Sequence, residues 1–154
     1  MIVLGGRKQM TGNDPYNLER FIEAQNRWIE QVQKELQDGH KQSHWMWFIF
    51  PQLKGLGHSA MANRYGISSE KEAEAYLTHN LLGSRLRLCT SLVLLVKGRS
   101  IEQIFEDPDD LKFRSSMTLF ASVDTESAIF NNALKKYFAG KPDQLTIQRL
   151  KGEK

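Results

Sequence analysis

Apolar residues recur at steps of three and four along the first part of the chain, and this spacing predicts a long amphipathic helix. Its apolar positions are Leu18, Phe21, Ile22, Trp28, Ile29, Val32 and Leu36. Asp14 followed by Pro15 predicts its start, because a polar cap before a proline at the first helical position favours helix initiation. Asp38 and Gly39 predict its end, since glycine commonly follows a helix.

A second apolar run, Trp45 to Phe50, is too short to show a period. We predict a buried helix over residues 44–50 capped by Ser43, because the sequence offers no other strand with which this run could pair. A buried strand is the alternative. After a Gly-Leu-Gly loop, Ser59 predicts the start of a third helix that ends at Gly66.

The remaining sequence repeats the pattern of a capping residue, an apolar face and a glycine or a new cap. The predicted caps are Ser69, Asn80, Ser100, Asp107, and Asp124 or Thr125. Residues 143–150 add a final turn or two. Because no segment alternates like a strand and no hairpin turn is present, we predict an all-α fold: a single irregular multi-helical domain of seven or eight helices.

Length and composition agree with one globular domain. The 154 residues are 40% hydrophobic and 25% charged, which suffices for one core. We predict a flexible leader over residues 1–13, which lack either period, and a single helical domain over residues 14–154. The single cysteine, Cys89, excludes an internal disulfide, and no segment has the length of a membrane span, so we expect a cytoplasmic protein.

The charge distribution argues against nucleic acid as a partner. The net charge is +3, but residues 15–140 hold fifteen acidic and fifteen basic side chains, and the excess lies at the two ends. A surface that follows phosphates would need basic residues concentrated within the body of the protein.

The aromatic run supplies the first candidate site residues. His44 could act as an acid–base group, and Trp45 or Trp47 could stack on a ring, although aromatic residues at helical spacing more often belong to a core. The following sequence Gly55-Leu56-Gly57 formally fits a dinucleotide fingerprint, but no preceding strand supports that interpretation.

Three basic residues could hold an anion. Arg64 follows the glycine loop, and Lys112 and Arg114 lie close together on a predicted helix. Arg114 could instead pair with Asp110 four residues earlier, which is the more common arrangement on a helix surface. The four histidines lack metal-ligand spacing, so we predict neither a metal site nor a cofactor.

Two segments carry a family resemblance: SHWMWFIFPQLKGLGHSAMANRYGISS (43–69) and IFEDPDDLKFRSSMTLF (104–120). They resemble the bacterial domain of unknown function 1810 family, whose members are often labelled calpastatin-like. The resemblance covers nearly all of residues 14–140 and implies an all-helical single domain, without an activity, cofactor or catalytic residue. Calpastatins are disordered inhibitors that fold on binding, so that label conflicts with the helical period of this chain.

The sequence leaves open whether the protein is an enzyme. We expect a pocket between residues 44–65 and 108–120 that binds a small anionic, ring-containing ligand, such as a nucleotide or an ADP-ribose-like molecule. The predicted roles are acid–base chemistry by His44, stacking by Trp45 or Trp47, and anion contact by Arg64, Lys112 and Arg114. The alternative is a protein–protein interaction module that docks an unknown partner in an aromatic groove.

Overall fold

Nine α-helices make up the regular structure of residues 13–152, the part of the chain that the computed structural model describes. In chain order they are α1 (Glu19–Gln37), α2 (Met46–Ile49), α3 (Ala60–Tyr65), α4 (Glu70–Thr78), α5 (Asn80–Leu95), α6 (Ile101–Phe105), α7 (Asp109–Val123), α8 (Ile129–Phe138) and α9 (Gln144–Gly152). The predicted all-α class is confirmed: over these residues the only β-type pairing is an isolated parallel bridge between Leu53 and Ile67. The predicted leader lies outside the described residues except for Asn13.

The predicted count of seven or eight helices is wrong because the C-terminal segment forms a complete ninth helix. Asp143 accepts hydrogen bonds from both the backbone N–H and the hydroxyl of Thr146, at 3.0 and 2.6 Å. The N–H of Asp143 in turn donates to Thr118 Oγ1 on α7. This anchor to a distant helix is a tertiary interaction that the local sequence does not reveal.

Several helix starts differ from the sequence analysis. At α7 the N-cap is Pro108 and not the predicted Asp107, and no side chain caps that helix. Asp14 does accept from the N–H groups of Leu18 and Glu19, but α1 begins at Glu19 and not beside Pro15, because Asn17 adopts a positive φ of 52°. At α5 the cap is His79, whose Nδ1 accepts from two backbone N–H groups, and not Asn80. The predicted caps Ser59, Ser69 and Ser100 are confirmed, each accepting from the N–H three residues later.

The buried carboxylate of Glu35 fixes the chain that leads into α2. Its oxygens accept hydrogen bonds from the Gln31 amide, the backbone N–H of Gln42, the N–H and hydroxyl of Ser43, and the indole N–H of Trp45. Ser43 therefore binds Glu35 and does not cap α2. Burial raises the pKa of Glu35, but the hydrogen bonds outweigh it and lower the pKa to about 2.

A second buried carboxylate, Asp124, joins the end of α7 to α5. Its two oxygens pair with the two terminal nitrogens of Arg87, at 3.0 and 3.2 Å, and accept from the Ser127 hydroxyl and the Glu126 N–H. These bonds outweigh the effect of burial and lower the pKa of Asp124 to about 2. Asp124 therefore ties three segments together and is not the cap of α8, which begins at Ile129.

Acid should destabilise the fold through these two carboxylates. The unfolded-state pKa of such groups is about 4, so their stabilisation is complete above that pH and is lost as the pH falls towards 2. We expect a lower urea midpoint at pH 3 than at pH 7. Asp124→Asn should show a smaller difference between the two pH values than the wild-type protein, and an equal difference would contradict this assignment.

The core lies where α7 packs against α4, α6, α8 and α9. Aromatic rings from several segments meet there, and the largest fully buried ones are Trp45, Tyr76, Phe21, Phe50, Phe113, Phe120 and Phe130. Phe113 lies 5.1 Å from Phe50 and 4.9 Å from Phe105, ring centroid to ring centroid. The aromatic run that begins at Trp45 is thus held against α6 and α7.

Arg20 on α1 fixes the segment between α3 and α4. Its guanidinium donates to the carbonyl oxygens of Arg64 and Gly66 and to the carboxylate of Glu72. Glu72 is 2% exposed and also accepts from the N–H and hydroxyl of Ser68.

Among residues 13–152, no helix combines the length and hydrophobicity that crossing a membrane requires.

Candidate functional site

A cleft lies between α7 and the segment that carries α2 and α3. Its lining residues are Met46, Trp47, Phe50, Gln52, Ala62, Tyr65, Gly66 and Lys112. Its empty volume is about 250 Å³, including the open solvent at its mouth. Only about 10 Å³ of this space can be reached by a water-sized sphere, whereas small-molecule pockets usually have about 300–1,000 Å³. A ligand of nucleotide size would therefore have to lie across the surface of this cleft or widen it.

Lys112 supplies the positive charge at the cleft. Its ammonium lies 5.0 Å from the centroid of the Trp47 ring and 3.6 Å from Asp109 Oδ1. The other oxygen of Asp109 is only 2.8 Å from the ammonium of Lys41, which lies over Trp45. The Asp109 carboxylate thus contacts both lysines, and its shorter contact is with Lys41.

Trp47 and Tyr65 are the aromatic residues of the cleft with polar neighbours. Trp47 is half-buried, and the ammonium of Lys112 lies over its ring. Tyr65 is buried, and the guanidinium of Arg64 lies 5.5 Å from its ring centroid. The arrangement combines ring surfaces with two cations, which is chemistry suited to an anionic aromatic molecule.

Trp45 is a core residue. Its side chain is 0% exposed and its indole N–H donates to Glu35, so it has no surface on which a ligand could stack. His44, next to it, is exposed and is not in the lining of the cleft. No hydrogen bond joins the His44 side chain to another described residue, and its acid–base role stays a prediction.

Arg114 lies on a different side of α7 from Lys112. Its Nε donates to the carbonyl oxygen of Lys141, at 3.0 Å, and its guanidinium covers the Phe138 ring. Two residues along a helix correspond to about 200°, which explains the separation. Of the predicted ligand-binding residues, the structure therefore brings Trp47 and Lys112 into the cleft, places Arg64 beside it, and leaves Trp45 and Arg114 elsewhere.

The aromatic groove predicted for a protein partner is mostly core. Of the aromatic side chains in residues 43–65, four are buried, namely Trp45, Phe48, Phe50 and Tyr65. Only Trp47 is accessible to an intermediate degree. The residues that can meet a partner from solution in this segment are therefore few.

Thiol chemistry and metal binding have no visible site in residues 13–152. Burial raises the pKa of the Cys89 thiol to about 12, which keeps it protonated at neutral pH. No group of three or more His, Cys, Asp or Glu side chains in that range is arranged to hold a metal ion.

Two residues near the cleft, Lys41 and Asp109, are not among the site residues predicted from the sequence. Asp109 is three residues before Lys112, a spacing that pairs side chains on a helix, so this partner could have been inferred. Lys41 could not, because it lies in the loop after α1 and reaches Asp109 only through the packing of that loop on α6. Its backbone N–H donates to the carbonyl oxygen of Ile104.

The described residues fold as an all-helical domain with one cleft of mixed aromatic and cationic lining. The residues of this cleft do not form a recognised catalytic arrangement. The chain belongs to the family described as "Protein of unknown function (DUF1810)", whose model matches residues 15–150. It is also similar to the crystal structure of the conserved hypothetical protein Rv1873 from Mycobacterium tuberculosis. The TM-score is 0.88 at 55% identity, and the match covers 89% of this chain and 98% of that one.

A search of curated proteins found no match to this chain. The calpastatin-like label receives no support from the family description or from the similar structure. The buried aromatic core is also the opposite of what a disordered inhibitor would present.

Proposed function

We propose that the protein binds a small anionic, ring-containing ligand at the cleft between α2–α3 and α7. The observation that carries the proposal is the position of Lys112, whose ammonium lies over the Trp47 ring at the edge of the cleft. A cation and a ring face at one place are the two elements that recognition of a nucleotide-like molecule requires.

The pairing of Asp109 with two lysines favours an anion at Lys112. Lys41 is 8% exposed and takes the 2.8 Å contact with this carboxylate, whereas Lys112 is 27% exposed and has the 3.6 Å contact. Two lysines on one carboxylate leave one positive charge in excess. Because Lys112 has the weaker pairing and the greater exposure, an anionic group of the ligand would bind there.

The aromatic lining of the cleft would bind the ring of the proposed ligand. A planar ring can pack beside Trp47, the accessible aromatic side chain of the cleft, and stacking of a base on an aromatic side chain contributes about 1–3 kcal/mol. Arg64, which lies over Tyr65, is the nearest further cation for a second anionic group. The proposed contacts are therefore stacking by Trp47 and charge pairing by Lys112 and Arg64.

A thermal-shift screen tests this function. The panel contains nucleotides, NAD, ADP-ribose, sugar phosphates and nucleosides, and a ligand at 100 times its Kd should stabilise the protein by about 2.7 kcal/mol. We expect at least one ring-containing anion to raise the melting temperature. Lys112→Ala should abolish the shift while its own melting temperature without ligand stays near that of the wild type, because this side chain is partly exposed.

Arg114→Ala is the matched control, since it removes a cation from the same helix but from the side that faces Lys141. It should keep the ligand-induced shift. A shift that survives Lys112→Ala and disappears in Arg114→Ala would refute the cleft as the binding site, and the absence of any shift across the panel would refute the ligand class.

A further inference from the structure

We propose a second anion-binding site, for the phosphate group of a small molecule, in a groove between α9 and the loop that precedes α3. The groove is lined by Leu53, Lys54, Ser68, Arg149 and Gly152 and has an empty volume of about 610 Å³, including open solvent. It shares no lining residue with the Trp47–Lys112 cleft. The proposal therefore stands independently of the function proposed above.

The guanidinium of Arg149 packs directly on the backbone of Gly55. A Cβ added at Gly55 would overlap Nη2 of Arg149 and would lie 2.7 Å from its Cζ, so any other residue there would displace the guanidinium. Gly55 also has a φ of +100°, a conformation that favours glycine. Arg149 thus occupies space that exists only because this position has no side chain.

Both walls of the groove are braced by the fold. Lys54 donates its N–H to the carbonyl oxygen of Ile67 at 2.8 Å, and a Cβ at Gly66 would lie 2.7 Å from the Lys54 Cα. On the other wall, α9 is anchored through Thr146, which is 0% exposed. The two cationic side chains therefore extend from fixed backbone positions.

Among the described residues, the groove concentrates positive charge without a matching acid in its lining. Within residues 13–152, neither Lys54 nor Arg149 forms a hydrogen bond or an ion pair through its side chain, and none of the lining residues is acidic. The Ser68 hydroxyl donates its proton to Glu72 and so adds no donor. Two neighbouring cations repel each other, and a bound anion would relieve this repulsion.

Phosphate is the anion that this pair fits. The planar guanidinium of Arg149 can donate two parallel hydrogen bonds to two oxygens of a phosphate group, and the ammonium of Lys54 can act as a point charge on a third. The groove is large enough to take a small organic group attached to the phosphate. A free phosphate ion and a phosphate monoester share this chemistry.

The test is a titration of the full chain with inorganic phosphate, followed by backbone amide chemical shifts. We expect saturable shifts concentrated in residues 53–57 and 149–152. Arg149→Gln should weaken the apparent affinity at least tenfold, and Lys54→Ala, which alters only an exposed side chain, should weaken it as well. Lys97→Ala, which removes an exposed lysine outside the groove, should leave the affinity unchanged. Ribose 5-phosphate should bind the same residues as inorganic phosphate does.

Three results would overturn the proposal. Shifts that grow linearly with phosphate concentration would mean no specific site. Shifts unchanged in Arg149→Gln and Lys54→Ala would exclude the groove. Shifts confined to the region of Trp47 and Lys112 would assign phosphate to the cleft. The last result would support the proposed function while refuting the second site, so the two failures are distinguishable.

Discussion

Replacing Glu35 by alanine should lower the free energy of unfolding by about 3–5 kcal/mol, because it removes a charged acceptor shared by several neutral donors, and hydrogen bonds to charged groups contribute about 1.5–3 kcal/mol each. The side chain is 3% exposed, and its carboxylate satisfies the indole N–H of Trp45 and the N–H groups of Gln42 and Ser43. Without it the buried indole N–H has no acceptor, and each such unpaired donor costs about 1–3 kcal/mol.

Urea denaturation at pH 7 measures this loss. Glu30→Ala is the control, because Glu30 is an exposed glutamate on the same helix and alanine is an equally good helix former there. We expect the control to remain within about 0.5 kcal/mol of the wild-type protein. If Glu35→Ala changes stability no more than Glu30→Ala does, the carboxylate does not hold the α1–α2 connection.

Replacing Gly83 by alanine should destabilise the protein by about 3 kcal/mol, although helix propensity alone predicts a gain of about 1 kcal/mol. Gly83 lies in the first turn of α5, where that helix packs on the end of α4. An added Cβ would overlap the carbonyl oxygen of Leu77 and lie 3.0 Å from its carbonyl carbon. Because both atoms belong to the backbone, the two helices would have to move apart.

Gly152→Ala is the matched control for this substitution. Gly152 ends α9, and a Cβ there would have nothing within 4 Å. We expect this variant to unfold at the wild-type temperature or slightly above it, whereas Gly83→Ala should unfold well below it. A melting temperature for Gly83→Ala at or above the wild-type value would show that α4 and α5 are not in such close contact.

The roles of Glu35 and Gly83 illustrate different limits of sequence reasoning. Steps of three and four from Phe21 through Gln25, Trp28 and Val32 lead to Glu35, so the period places this glutamate on the buried face of α1. The helical period therefore indicates that Glu35 is buried, but it does not indicate which groups donate hydrogen bonds to its carboxylate. Nothing in the local sequence indicates that Gly83 needs to be glycine, since the atoms that exclude a side chain belong to α4.

The candidate site was predictable in part. The sequence predicts that the aromatic run and the α7 cations form the two sides of one site; the structure brings Trp47 and Lys112 together but places Arg114 elsewhere. Sequence reasoning could not separate Trp45 from Trp47, because both follow from the same apolar run. The acceptor that draws Trp45 into the core, Glu35, is ten residues earlier, beyond the reach of a single helical turn.

Local sequence patterns were sufficient to predict the all-helical class, the apolar faces and the capping serines Ser59, Ser69 and Ser100, because these depend on interactions within a few residues of one another. The packing of the helices was needed to establish which side of α7 lines the cleft, that Arg149 packs on Gly55, and which carboxylates are buried. Those outcomes depend on how helices distant in sequence pack, and packing is governed by shape and hydrogen-bond partners that no local pattern records.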